Sequence, residues 1–124
     1  FTSDRYEGWG AVLNESMNSG CAVVASHAIG SVPFLIKHRE NGMIYYSGNM
    51  DELYEHVKYL LDHPAEQERL GKAAYETITG AWNAETAAER LVALSKHLLS
   101  GEKYPDLYPT GPCSRAEILK NDWL

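Results

Sequence analysis

Two acidic residues flank a short glycine-bearing loop near the start of the chain, in the run Glu7-Gly8-Trp9-Gly10-Ala11-Val12-Leu13-Asn14-Glu15. Gly8 and Gly10 let backbone approach a ligand with no side chain in the way. A helix is expected to begin just after them, at Ala11. Its first amides have no intrahelical acceptor and point back toward the loop, and the helix dipole adds positive potential there. That combination suits an anion such as a diphosphate. Glu7 sits before the anion site. Glu15 lies about two turns into the helix, roughly 12 Å further on at ~1.5 Å per residue. Carboxylates on either side of a phosphate site can each accept hydrogen bonds from hydroxyls. A nucleotide sugar has this layout of hexose, diphosphate and ribose.

Plainer readings exist. Two acids eight positions apart arise by chance, and the glycines could form only a strand-to-helix turn. The Gly-x-Gly also matches part of a dinucleotide fingerprint, but Leu13 stands where the third glycine belongs. The elements that would hold the loop therefore matter. Phe1–Ser3 reads as a strand tail and Asp4–Gly10 as a loop. Ala11–Ser19 has helical spacing, with Val12, Leu13, Ser16 and Met17 sharing a face, and Gly20 ends it as a left-handed cap. Cys21–Ser26 is a short apolar run that fits a strand buried on both faces, with Cys21 a small buried hydrophobe. A short helix follows Gly30 over Val32–Lys37, with Pro33 in its first turn. Asn41-Gly42 signals a turn, and Met43–Tyr46 a second short strand. Three helices are then expected. Asp51–His63 carries a stripe of Leu53, Val57, Leu60 and Leu61. Ala65–Thr79 turns Leu70, Ala73, Ala74 and Ile78 inward. The third is N-capped by Asn83 and runs through Ala87, Leu91, Leu94 and Leu98 to Leu99.

Strands alternating with helices imply an α/β fold with parallel strands and right-handed crossovers. Three short strands make a narrow sheet with a bare edge, a hazard for pairing with other chains. The sheet is expected to continue upstream of Phe1 or in a second copy of the chain, which makes self-association through the edge an expectation. Beyond Gly101 the prolines at 105, 109 and 112 predict an extended stretch, and Ser114-Arg115-Ala116-Glu117 reads as a capping box opening a short last helix. The division expected is a partial Rossmann-like domain over 1–99 and an extended tail over 100–124.

Composition narrows the class. The chain has 124 residues, of which 44% are hydrophobic and 23% charged, which fits a small globular domain. A net charge of −6 argues against sequence-independent nucleic-acid binding, which needs clustered Lys and Arg. No apolar run approaches the roughly 20 residues of a membrane span. The two cysteines, Cys21 and Cys113, have no metal-ligand spacing.

Tyr6–Gly20, followed by Cys21–Ser26, Gly30, Pro33, Ile36 and Asn41-Gly42, closely resembles the carboxyl-terminal domain of retaining glycosyltransferases of the GT-B fold, family 4 type. The family's Glu-x7-Glu motif appears as Glu7 and Glu15, and its terminal tryptophan as Trp82. The resemblance covers roughly residues 1–99. It implies the carboxyl-terminal half of a nucleotide-sugar-binding domain, from an enzyme that transfers a sugar from a nucleotide diphosphate to a glycan or lipid acceptor hydroxyl with retention. Under it Glu7 contacts donor-sugar hydroxyls near the reacting carbon and is the catalytic candidate. Glu15 holds the ribose, and Gly8, Trp9, Gly10 and Ala11 face the diphosphate. No metal or other cofactor is implied. The family's basic pair and its acceptor domain belong to parts not present in this chain, so the piece alone is expected to be inactive. The parent is expected in the cytoplasm or at the membrane periphery. Ser16 and Asn18 depart mildly from the family pattern. Phe34 replaces a common acidic residue, so no contact is assigned there.

Other residues carry two readings each. His27, at a strand's carboxyl end, either approaches the donor or is a solvated loop histidine. Trp9 either closes over the sugar or packs under the loop. Trp82 reads as an anchor between the last helices. His38, His56, His63 and His97 read as surface. A nucleotide-sugar epimerase of related fold, or a non-catalytic binding module, would reuse the same phosphate site.

Overall fold

The computed structural model describes residues 1–103, 105–116, 118–120 and 122–124. Seven elements follow in order: α1 (Ala11–Asn18), β1 (Val24–Ser26), α2 (Val32–Leu35), β2 (Met43–Tyr45), α3 (Met50–Asp62), α4 (Pro64–Gly80) and α5 (Ala84–Leu99). The strands pair in parallel, with Val24 opposite Met43, Ala25 opposite Ile44 and Ser26 opposite Tyr45. Phe1 sits on the far side of β1. Its nitrogen donates to Val24 O at 2.5 Å and its carbonyl accepts from Ser26 N at 3.1 Å. That is the bonding of a parallel pair, so Phe1 holds a third-strand position opposite Ala25 while Thr2 and Ser3 do not pair as a strand.

The α/β alternation is as expected, with shorter strands. β1 starts at Val24 rather than Cys21 because α1 ends in a Schellman motif. Gly20, at φ 73°, donates to Met17 O, and Cys21 donates to Ser16 O. Cys21 is thereby part of the turn and lies exposed, not in the core.

The main core joins Leu13 and Met17 of α1, Val23 and Ala25, Ile29, Val32, Leu35 and Ile36, Ile44 of β2, and Ala74 and Ile78 of α4. Met43, Leu60 and Leu70 form a smaller group beside it. α4 behaves as its periodicity predicts. α3 does not: Leu60 is buried, but Val57 is 41% and Leu61 71% exposed. α5 buries no residue fully. Both helices keep their periodicity, and what their stripes lack is a second layer. Trp82 packs against the main core and against Trp9 (centroids 5.7 Å apart), so it anchors the glycine loop as well as the helices. Asn83 and Asn49 cap α5 and α3 through bonds to Thr86 N and Glu52 N.

The outer edge of β2 is not bare. Met43 and Tyr45 face β1, so Ile44 presents its N–H and C=O outward. The His38 Nδ1 accepts the Ile44 N–H at 3.0 Å, and His56 Nε2 lies 3.2 Å from Ile44 O. Glu52 takes the next outward amide, Tyr46 N, at 2.7 Å. His56 is therefore not a surface residue; its side chain is only 12% exposed. Burial holds the His38 pKa below the usual histidine value, and the neighbouring His56 and Arg39 push the same way. Protonation at Nδ1 would replace the acceptor with a donor. Stability from this contact is therefore full above the ordinary histidine pKa of about 6.5 and is lost as pH falls through the depressed folded value. Between pH 7.5 and 5, the wild-type chain should lose thermal stability relative to His38→Asn, whose amide oxygen can accept without titrating. Equal losses in thermal scans would refute the assignment.

The tail is tied at its middle. Arg90 Nη1 donates to Thr110 O at 2.6 Å and its guanidinium lies over the Tyr108 ring. Gly111, buried and at φ 88°, packs on that guanidinium. The capping box rests on Glu117, which lies outside the described residues; residues 115–116 and 118–120 are not helical. Trp123 returns to the main core. No helix among the described residues is long and apolar enough to cross a membrane.

Candidate functional site

The loop before α1 is locked by its own polar groups. Glu7 Oε1 accepts the Gly10 N–H at 3.1 Å, and Gly10 takes the left-handed conformation (φ 83°, ψ 60°) as N-cap. A Cβ there would meet Ile29 Cγ2 at 2.8 Å and Phe1 Cε1 at 2.9 Å, so conformation and space both call for glycine. The Leu13 amide bonds Gly10 O, while those of Ala11 and Val12 have no acceptor among the described residues. The first turn of α1 carries no acidic residue. The three long helices differ, with Asp51 and Glu52, Glu66, and Glu85 in their first turns. The positive end of α1 is thus left uncompensated.

The loop is clamped to the turn after β1. The carbonyls of Glu7 and Trp9 accept from Gly30 N and Ser31 N, at 3.5 and 3.1 Å. Trp9 packs beside it rather than standing free. Its indole donates to Asn14 Oδ1 at 2.8 Å and stacks on Phe34 at 6.1 Å. That favours packing against the loop over closure above a sugar, and it gives Phe34 a role that the sequence did not suggest. Glu15 stands exposed on α1, its carboxylate unpartnered among the described residues.

A cleft of about 630 Å³ opens beyond the carboxyl ends of both strands, where open α/β sheets bind ligands. Asp4–Tyr6 form one side, His27–Gly30 with Pro33 and Phe34 the floor, and Tyr46 and Ser47 the far side; Leu119, Lys120 and Trp123 of the tail close it. Glu7, Gly8, Trp9, Gly10, Ala11 and Glu15 do not line it. The backbone of Glu7–Trp9 backs onto Gly30 and Ser31, with Gly30 pressed onto the Gly8 carbonyl. The structure thus brings Glu7, Gly8 and Gly10 together next to the cleft and leaves Glu15 further along α1. His27 is 6% exposed, so it is not a solvated loop histidine. Arg5 and Lys120 bring positive charge to the cleft, with Asp4 opposing it. Sequence reasoning missed Tyr46 and Ser47, although their place after a parallel strand was a usable signal. Nothing in the spacing marked Trp123. Among the described residues no group of three His, Cys, Asp or Glu could hold a metal.

The family model described as glycosyl transferases group 1 matches residues 1–77. No curated protein matches the chain. Among solved structures, the chain is similar to the carboxyl-terminal domain of a glycosyl transferase group 1 family protein from Francisella tularensis, at 26% identity and TM-score 0.59 over 63% of this chain. It is similar to sucrose-phosphate synthase from Thermosynechococcus elongatus at 28% identity and TM-score 0.66 over 75%. Anabaena HepE, solved with UDP and glucose, shares the fold at 22% identity and TM-score 0.65 over 71%. The chain spans 40%, 23% and 24% of those three chains. The mixed α/β fold, with its short parallel sheet, matches these GT-B domains.

Proposed function

The chain belongs to the group 1 glycosyl transferases, and from that premise we propose that it supplies part of the donor pocket of a retaining, family 4 type enzyme. That enzyme moves a sugar from a nucleotide diphosphate to a hydroxyl on a glycan or lipid. The observation that carries the reading is the amino end of α1. Two unengaged amides, a left-handed glycine cap and an acid-free first turn sit between Glu7 and Glu15. Such an end favours the diphosphate, and more so as negative charge collects on it when the sugar leaves. In this reading Glu7 releases Gly10 and accepts from donor-sugar hydroxyls near the reacting carbon. Glu15, exposed and without a partner among the described residues, holds the ribose in this reading. Gly8, Trp9, Gly10 and Ala11 shape the phosphate seat between them. The acceptor and the basic partners of the diphosphate lie in parts of the enzyme outside this chain, and we assign no metal or cofactor to the step.

Calorimetry on the intact enzyme, wild type against Glu15→Ala with a panel of nucleotide sugars, tests this. Losing a hydrogen bond to a carboxylate costs ~1.5–3 kcal/mol, so affinity should fall about tenfold or more for every sugar carried on the preferred nucleotide. Unchanged binding would remove the ribose role and with it the main support for the transferase site. Conversion of the free sugar nucleotide, with no new glycosidic bond, would point to an epimerase.

A further inference from the structure

We infer that His27 is a positioning residue of the cleft beside the proposed phosphate seat, holding the loop after β2 in register with the loop after β1 through its neutral, Nε2-protonated ring. The inference rests on the donor-pocket reading above and adds a residue to it.

His27 is the first residue beyond β1, and it engages three successive residues of the neighbouring chain segment by three different means. Its backbone N–H donates to Tyr45 O at 3.0 Å, the last bond of the parallel ladder. Its ring lies flat on Tyr46, with centroids 4.1 Å apart and planes 19° apart. Its Nδ1 accepts the Ser47 N–H at 2.8 Å. Strand pairing alone stops at Tyr45. Without the ring, Tyr46 would keep the bond of its N–H to Glu52 and that of its carbonyl from Asn49 N, both within its own side of the cleft, and Ser47 N would lose the acceptor it has here. Both residues line the cleft, as does His27 itself.

The Ser47 bond also decides the chemistry of the ring. An imidazole nitrogen that accepts a backbone N–H cannot carry a proton, so the neutral ring bears its hydrogen on Nε2. The ring is buried; Tyr46 covers one face, and Trp123 lies at 6.4 Å with its indole N–H donating to His27 O. A ring gripped in this way fixes how far the loop after β2 stands from the loop after β1, and so how the far side of the cleft meets its floor.

The test uses the intact enzyme with UDP and GDP as probes, in wild type, His27→Ala and His27→Asn. Asn places an acceptor oxygen near the position of Nδ1. Nitrogen-15 spectra of the wild-type ring should show the Nε2–H tautomer, and the Ser47 amide should be protected from exchange. His27→Ala should speed Ser47 exchange at least about tenfold and weaken the bound probe by about tenfold, while His27→Asn restores the protection and most of the affinity. An Nδ1–H tautomer, or Ser47 exchange unchanged in His27→Ala, would overturn the proposed grip. Ser47 released with probe affinity unchanged would overturn the positioning role and leave the donor-pocket reading standing. Failure of the wild type to bind either probe, with the tautomer and protection as described, would overturn the donor-pocket reading and the role built on it. Should His27→Ala not fold, an Nδ1–H tautomer in the wild type, or a His27→Asn variant that loses affinity despite a protected Ser47, would still overturn the proposal.

Discussion

Gly30→Ala should cost at least ~1–3 kcal/mol of stability, the usual range for forcing a methyl group into packed space, and should abolish measurable donor binding by the intact enzyme. A Cβ on Gly30 would lie 1.7 Å from Gly8 O and 2.9 Å from Gly8 C. Both obstacles are backbone, so no rotamer change relieves them. Either the turn after β1 or the loop before α1 has to retreat. The turn is held by the buried Ile29 and Val32. The loop is the less anchored partner, and it carries Glu7, Gly8 and Gly10. Retreat of the loop dismantles the Glu7–Gly10 bond and tilts the amides that would face a diphosphate. Gly80→Ala is the control, because a Cβ there meets nothing within 4 Å and the position lies at the end of α4. Urea unfolding and calorimetric donor binding, run on both variants, check the contrast. Near-native stability and binding in Gly30→Ala would mean that the two backbones are not in contact.

Leu13→Ala should lose about 2–5 kcal/mol, a large share of what a domain of this size holds. Its neighbour Val12→Ala should lose less than about 0.5 kcal/mol, as exposed positions do. Leu13 is 1% exposed and sits in the main core with Met17, Ile29 and Ile78 nearby in the same cluster. Val12 is 54% exposed. Deleting Leu13 leaves a cavity beneath the first turn of α1, under the amides proposed to receive phosphate. Donor affinity should therefore fall along with stability in Leu13→Ala and hold in Val12→Ala. Denaturant midpoints give the first comparison and donor titration the second. Equal losses in the two variants would show that α1 does not seat on Leu13.

That pair also marks how far the sequence could be read. Spacing located α1 and its left-handed stop at Gly20, but placed Val12 and Leu13 on one face. Consecutive residues of a helix differ by about 100° in direction, and only the packing of α4 against α1 decides which of them is covered. The cap at Asn83 is local chemistry, so its side chain and position sufficed. The stripes of α3 and α5 were real as patterns, yet burial depends on a neighbouring layer, which periodicity cannot supply. Cys21 was misplaced for a related reason: its apolar character reads as strand, while the Schellman bonds to Ser16 and Met17 claim the backbone first. The glycine loop was legible because glycines and charges at fixed offsets carry their chemistry with them. The cleft beside it was not, since Arg5, His27, Ser47 and Trp123 meet only through the sheet and the returning tail.

Gly71 of α4 gives the molecule a way to be adjusted from behind. A Cβ there would meet Gly20 O at 2.2 Å and Ala22 N at 3.3 Å, so α4 rests directly on the backbone turn that ends α1. With no side chain between them, the two helices behave like parts bolted without a washer. A one-methyl shim at position 71 would be transmitted along α1 to its opposite end, reaching the proposed phosphate seat without altering any group assigned to it. The rear of the domain is thus a lever on the front, and its fulcrum is a missing carbon.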